Sequence, residues 1–469
     1  MLAAPMSDRM SSPIHASSLF GSAFGALQQL INELSARVAM PIGPLPDAPL
    51  GDLLEPRGRT QRDGADAVER LLDRLTGRTS VDPQLARPDR PLLATTTVDA
   101  AGRGSVTRLV IRASAPGADW GVTGREAGMV AVYVDGRYRS TIIVRGERDE
   151  PHELTLGELA AGPHVVELRA ATDIAPVRAS IEALRVRDID GEQALIDRYA
   201  PILELRDDDP STRASAASND SPMLLVPAVT RHPDGSRTIE YRVVFSNEDG
   251  GTRLPDLYAR YGRGVDAEPV LRVELAPDGR LVSERYQAAL HRWLPFDGAR
   301  DGTRAVLRVS TANNLVSART STRTGERWAD APTAPVTQET GEYDVMRLHP
   351  WTWRVMAAEL LREGKAAAAD AVRGAAQIAD PRRYVYLGSL SDAARAAISA
   401  AGGLELVLAD GSRIMARIAR GFATGTHAQS ALELPVGAVV DAIRGVGMLG
   451  VRATVLDDLL TARELASAA

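Results

Sequence analysis

The 469-residue chain contains no cysteine, which removes disulfides, thiolate metal ligands and a cysteine nucleophile. That absence leaves the compartment open, because a chain without cysteine tolerates oxidising and reducing surroundings alike. No run approaches the ~18–20 consecutive apolar residues of a membrane-spanning helix. Residues Met1 to Met40 show no basic stretch followed by a continuous apolar one, so no secretory signal is read there. The expectation is a cytoplasmic chain, or one exported without such a signal. Lysine is almost absent, and the 55 basic and 61 acidic residues are interspersed, for a formal net charge of −6. A sequence-independent grip on nucleic acid needs clustered Lys and Arg and is not expected. Aromatic residues are only 4% of the chain, so its cores must be built mainly from Val, Leu, Ile and Ala.

Common catalytic signatures are missing as well. The histidines, His15, His152, His164, His232, His291, His349 and His427, form no H-x-H or H-x-x-x-H pair, so a zinc site would need distant segments. No G-x-S-x-G elbow exists for a hydrolase serine, and Ser391 reads as a helix cap. Gly445-Val446-Gly447-Met448-Leu449-Gly450 is a literal G-x-G-x-x-G. A dinucleotide site needs that run after a strand and before a helix, whereas here it follows an expected helix and leads into a strand. The acidic turns Asp207-Asp208-Asp209 and Asn247-Glu248-Asp249-Gly250 read first as solvated turns. Asp207, Asp209 and Asp249 are weak candidates for a Ca²⁺ ion, and no other cofactor is expected.

What is present points to several domains, since length alone implies two to four. Residues 1–90 read as helices and linker. Phe20, Phe24, Leu27, Ile31, Leu34 and Val38 form one stripe on a helix over 17–39, which either packs on its own protein or self-associates. Residues 91–190 change character. Strands are expected at Leu92–Val98, Val106–Arg112, Met129–Val134, Tyr138–Val144, His152–Leu156, His164–Arg169 and Ser180–Val186. Asp135-Gly136 is the pair that a two-residue hairpin turn requires. Seven such strands argue for an antiparallel β-sandwich, jelly-roll-like in outline.

Residues 198–330 form a second β-rich domain, with hairpins at His232-Pro233-Asp234-Gly235 and Pro277-Asp278-Gly279. A helical connector over 349–380 begins at Pro350 and continues as an alanine-rich helix from Lys365 to Ile378. Residues 382–469 read as a small α+β domain. Its order is strand Tyr384–Leu387, helix Asp392–Ala400, hairpin around Asp410-Gly411, helix Pro435–Arg444, strand Gly450–Val455 and a final helix. The βαββαβ core of that order is the plan of a ferredoxin-like split unit.

Trp and Tyr stack on sugar rings, with nearby polar groups taking the hydroxyls. Trp120 in a loop, Tyr133 and Tyr138 beside the Asp-Gly hairpin, and His291 and Trp293 after a strand are the candidates for a ligand site. Core packing explains each of them singly. The stretch Ala131-Val132-Tyr133-Val134-Asp135-Gly136, with Leu154 to Leu159 and Ala161-Gly162-Pro163-His164-Val165-Val166-Glu167-Leu168, resembles galactose-binding-like and carbohydrate-binding-module-like sandwiches. The resemblance covers framework positions of 91–190 and implies a scaffold more than a sugar site. Residues 198–330, opening on Arg198-Tyr199-Ala200-Pro201, look like uncharacterised bacterial proteins that share that start. Three readings follow: a non-catalytic binding or structural protein with a glycan ligand, a carbohydrate-active hydrolase with a carboxylate pair in 198–330, or an assembly component joined through helix 17–39.

Overall fold

The structure is a computed structural model that describes residues 89–468, except 103, 149, 206–219, 249–251, 312, 320–325, 338–339, 369–373, 375, 419–421, 423–427 and 445–449. The helices expected before residue 90, and Asp207, Asp209 and Asp249, lie outside the described residues. The described chain is mainly β.

Seven strands open it: β1 (Leu92–Ala100), β2 (Val106–Ser114), β3 (Gly128–Val134), β4 (Arg137–Val144), β5 (Glu150–Gly157), β6 (Gly162–Ala170) and β7 (Ser180–Ile189). They pair into sheets of order β1-β6-β3-β4 and β5-β2-β7, and Val130, Val132 and Leu168 of one share a core with Leu109, Ile111 and Leu154 of the other. Between β3 and β4, Asp135 and Gly136 have φ of 50° and 73°, the positive pair whose twist matches the flanking strands. The Asp135 carboxylate accepts from the Val165 N–H at 2.9 Å and pairs with His164 Nδ1 at 2.6 Å. The hairpin is thereby fastened to β6, and this contact joins the two framework motifs quoted above.

Strand β3 alternates, but not between core and solvent. Val130, Val132 and Val134 enter the sandwich core, while Met129 and Ala131 enter a second core behind it. The period of two therefore feeds two apolar interiors.

That second core belongs to the middle of the chain. Helix α1 (Gly191–Tyr199) and β8 (Ile202–Glu204) lead into β9 (Pro222–Arg231) and β10 (Arg237–Phe245), and helix α2 (Leu254–Tyr261) precedes β11 (Asp266–Leu275), β12 (Leu281–Ala288) and β13 (Arg292–Pro295). The sheet order is β13-β12-β11-β10-β9. Short strands β14 (Arg300–Asp301), β15 (Arg304–Val309), β16 (Val316–Ser317) and β17 (Arg327–Trp328) complete a small sheet around β8. In it Ile202 and Val306 face the sandwich core, and Leu203 and Leu307 the central one. Helices α3 (Glu342–Leu348) and α4 (Trp351–Arg362) follow, and α4 starts directly after Pro350. Continuation of that helix through an alanine-rich segment is corrected. Ala367 N–H donates to Ile378 C=O at 3.0 Å and Ile378 N–H to Lys365 C=O at 3.1 Å, so the described ends of the segment bridge each other after Gly364 takes φ 68°.

The last region is also corrected. It runs β18 (Tyr384–Gly388), α5 (Asp392–Ala400), β19 (Gly403–Leu408), β20 (Arg413–Arg417), β21 (Ser430–Glu433), β22 (Val440–Arg444), β23 (Arg452–Leu456), β24 (Ala462–Glu464) and β25 (Ala466–Ala468). Ser391 caps α5 by accepting from Ala394 N–H. The ferredoxin-like plan fails because the two later helices are strands. Val436, Val439, Val440 and Ile443 have helical spacing, but β-branched residues favour strands, Gly437 turns at φ 76°, and Val436 and Val439 are exposed. The sheet order is β24-β23-β18-β21-β20-β19-β22-β25. Its two edges, β24 and β25, are separated in sequence by Leu465 alone, whose N–H donates to Ala453 C=O at 2.8 Å. One short segment thus occupies both edges and nearly closes the sheet around Leu387, Leu406, Phe422 and Leu432, satisfying edges that would otherwise stay unpaired.

Candidate functional site

Arg108 projects from β2 toward α1, where its Nε and Nη2 donate to the two oxygens of Asp197 at 2.5 and 2.6 Å. Thr155 and Gln193 also donate to Asp197, at 2.9 and 2.8 Å, and Glu153 accepts from Arg108 Nη1 at 2.9 Å. Such a two-toothed, fully hydrogen-bonded pair fixes geometry. It holds the outer sheet of the sandwich against the start of the central region.

Beside this pair lies a cleft of about 1030 Å³. The sandwich supplies Arg145 and Glu150, the central sheet Leu225, and the chain further on Asp330, His349 and Trp351. Trp351, at the start of α4, is half-buried against the central core, and the Arg145 guanidinium lies 5.2 Å from its ring centroid, a cation–π contact. Arg145 is 3% exposed. It donates to the carbonyls of Ile143 and Pro222, but its buried Nε has no partner. Burial pushes its pKa down to about 10 against the opposing pull of Asp330, Glu150 and Glu359, so the guanidinium stays charged at neutral pH. Asp330 Oδ1 is likewise buried without a partner. Burial raises the Asp330 carboxyl to about 6, opposed by Arg145.

A second polar group is buried on β11, the middle strand of the central sheet. Asp266 and Glu268 are two residues apart on β11 and so point to one face. Arg263, after α2, faces Asp266 at 4.0 Å, Glu248 at 3.9 Å and Glu342 of α3 at 3.9 Å. Asn314 donates to Asp266 at 2.9 Å and Asn313 to Glu268 at 3.2 Å. With its amide nitrogen turned toward the carboxylate, Gln287 donates to Glu268 at 3.0 Å. Burial raises the pKa of both Asp266 and Glu268, and Asp266 and Glu248 raise Glu268 further. Glu342, despite burial, is held low by Arg263 and by hydrogen bonds. Four carboxyls around one guanidinium cannot all ionise out of water, so this group retains protons.

The residues singled out from sequence are placed as follows. Trp120 is buried and its indole N–H donates to Glu359 at 2.8 Å. Tyr138 is buried, with its hydroxyl donating to Glu326 at 3.1 Å, and the half-buried Tyr133 meets it edge-on, with centroids 5.7 Å apart. Trp293 is half-buried under Arg272, 4.4 Å from its ring. His291 is exposed, takes φ 55°, and brings Nδ1 within 3.5 Å of Glu268. The structure thus brings His291 to the rim of the carboxyl group and places none of the five on the cleft. Among the described residues no cluster of three or more His, Asp or Glu is arranged to hold a metal ion. Sequence reasoning missed Arg145, Asp330 and the place of Trp351 on the cleft wall, having used Trp351 only as a helix position.

No family model matches the chain, and no curated protein matches it. Solved structures similar to parts of it include the C-terminal domain of EclA, a sugar-binding protein, at TM-score 0.16 and 13% identity over 24% of this chain and 78% of that one. A GH2 beta-galacturonidase from Eisenbergiella tayi bound to galacturonate gives TM-score 0.14 and 13% identity over 33% and 22%. An FMN-binding beta-glucuronidase from Facaelibacterium prausnitzii L2-6 gives TM-score 0.16 and 11% identity over 40% and 26%. Scores of this size establish neither a common fold nor a common function.

Proposed function

We propose that the chain is a non-catalytic binding protein whose cleft takes a glycan. The observation that supports this reading is the half-buried indole of Trp351 on the wall of a cleft that also contains a donor and an acceptor residue with unmet capacity, Arg145 and Asp330. A sugar has an apolar face for stacking and hydroxyls that both donate and accept, which is the complement of such a lining. The volume, about 1030 Å³, lies at the top of the range of ordinary ligand pockets, about 300–1,000 Å³. A glycan array probed with the full chain and with Trp351→Ala tests it. Binding by the natural chain that falls at least tenfold in the variant supports the reading, and a natural chain that binds no glycan overturns it.

A second reading, glycoside hydrolysis with the sandwich as accessory, is favoured by Asp266 and Glu268. Both stand on one face of β11 with raised pKa, so a protonated carboxyl beside a second one is present at neutral pH. Glycosidases of either stereochemistry use such a donor with a second carboxylate. Release of reducing ends from a polysaccharide panel, lost in Glu268→Gln, is the expected result; no release by the natural chain removes this reading.

A further inference from the structure

We propose that the glycan taken by the cleft is acidic, and that a sugar carboxylate docks on Arg145. The inference rests on the glycan reading of the same cleft and adds the charge of its ligand. An arginine carries five N–H donors and keeps its charge at any physiological pH. In the interior such a group is ordinarily neutralised by a carboxylate, because an unpaired buried charge is costly. Arg108 follows that rule with Asp197 and Glu153. Arg145 does not: among the described residues no carboxylate stands within ion-pair distance of it, and its bonds go to two backbone carbonyls.

Of the acids that act on it, Asp330 offsets its charge from beyond ion-pair distance, and the other two are engaged elsewhere. Glu150 accepts from Arg354 at 3.2 Å, and Glu359 from Trp120 at 2.8 Å and from the Asp220 N–H at 3.0 Å. Arg304 provides an internal comparison. It too is buried without a carboxylate, yet its Nε, Nη1 and Nη2 each donate to a carbonyl, of Ala200, Thr155 and Pro201. Every nitrogen of Arg304 therefore has an acceptor, and it is not part of the cleft wall. Arg145 lines the cleft, with Nε unmatched. A ligand with one carboxylate and several hydroxyls supplies an acceptor to Arg145, a donor to Asp330 and a ring face to Trp351 together.

Calorimetric titration of the full chain with oligomers of galacturonate, glucuronate and mannuronate, each beside its methyl ester, tests this. The ester keeps the skeleton and removes the charge. At least one acid is expected to bind at least tenfold more tightly than its ester, and Arg145→Gln is expected to erase that preference. Should Arg145→Gln fail to fold, the acid–ester comparison on the natural chain still decides. An ester that binds as well as its acid overturns the acidic ligand and leaves the glycan reading intact. Binding of neutral glycans without any uronate does the same. A chain that binds no sugar of either kind overturns both.

Discussion

The wall of the cleft and the carboxyl group on β11 are both buried and both charged in excess of their partners, yet they meet the cost of burial differently. Asp266 and Glu268 can take up protons, and the shared guanidinium of Arg263 does not suffice to keep them ionised. Arg145 has no such exit, because its pKa stays near 10 even when buried. An acid cluster is complete once protonated. An arginine is complete only when something negative, or enough carbonyls, reaches it. The first arrangement answers to pH and the second to a ligand, and the difference follows from the side chains' own acidity.

The largest test of that contrast uses Arg108, whose burial is fully compensated. In Asp197→Asn the guanidinium loses its two-toothed partner and keeps only Glu153 and the Pro332 carbonyl. Breaking a buried pair from one side costs about 3–5 kcal/mol. Chemical denaturation is expected to show a loss of that order, and a loss below about 1 kcal/mol would mean that water or rearrangement relieves buried guanidinium groups in this fold.

A smaller effect separates the carboxyl group. Its folded pKa values are raised above those of unfolded Asp and Glu, so its contribution to stability is complete below about pH 4 and is lost as pH rises through the folded values. Each group adds a slope of up to about 1.4 kcal/mol per pH unit within its window. Asp330, Glu248, Glu284 and Glu359 shift the same way, so the measurement is a difference. Subtracting the unfolding curve of Asp266→Asn/Glu268→Gln from that of the natural chain is expected to leave a stability that falls from pH 5 to pH 9. A flat difference would show that both acids are ionised, and the contrast with Arg145 would collapse.

These differences bear on how much could be read from sequence. All seven strands of 91–190 are found because their turns carry their own chemistry, as Asp135-Gly136 does. In the last region Asp410-Gly411 worked in the same way, but Val436 to Ile443 did not. There the spacing was helical, and the outcome was decided by strand edges at Ala442 and Ala453, which no local pattern announces. The candidate site was still less legible. Arg145 follows an ordinary strand, and its burial comes from Pro222, Asp330 and Trp351, far along the chain. The aromatics singled out by their turns are packed away from the cleft, and Trp351 had a helical period that concealed its place on the cleft wall. The pair Asp266 and Glu268 carries a readable signal, two acids on one face of a strand, but only the approach of Arg263, Asn313 and Asn314 makes them unusual.

The cleft itself sharpens the contrast through Asp330. Below its pKa of about 6 the Asp330 carboxyl is neutral and ceases to offset the charge of Arg145, while a uronate remains ionised. Glu150, Glu359, His152 and His349 share the surroundings, and protonation of His349, held below its ordinary value by burial, acts in the same direction. Uronate affinity is therefore expected to rise severalfold from pH 7 to pH 5, with a smaller rise in Asp330→Asn. Affinity that is independent of pH would mean that the carboxylate docks away from this pair.

The smallest effect is expected where water reaches the ion pair. His164 and Asp135 meet at 2.6 Å on the sandwich surface, with the histidine pKa raised by that hydrogen bond and the aspartate lowered by it. The histidine's contribution is fully present below its unfolded pKa of about 6.5 and is lost as pH rises through the folded value. The aspartate's contribution is lost at the acid end, as pH falls through its folded value. The pair therefore acts only in a band between the two. His164→Ala is expected to cost about 1 kcal/mol or less at pH 5.5 and still less at pH 8.5, as measured by denaturant midpoints. The hairpin should keep its register in the variant, because Asp135 also accepts from the Val165 N–H and the turn is set by Asp135-Gly136 itself. An equal loss at both pH values would assign the effect to packing of the ring rather than to its charge. A surface pair would then teach nothing about the buried ones, and the argument from Arg145 would rest on the interior alone.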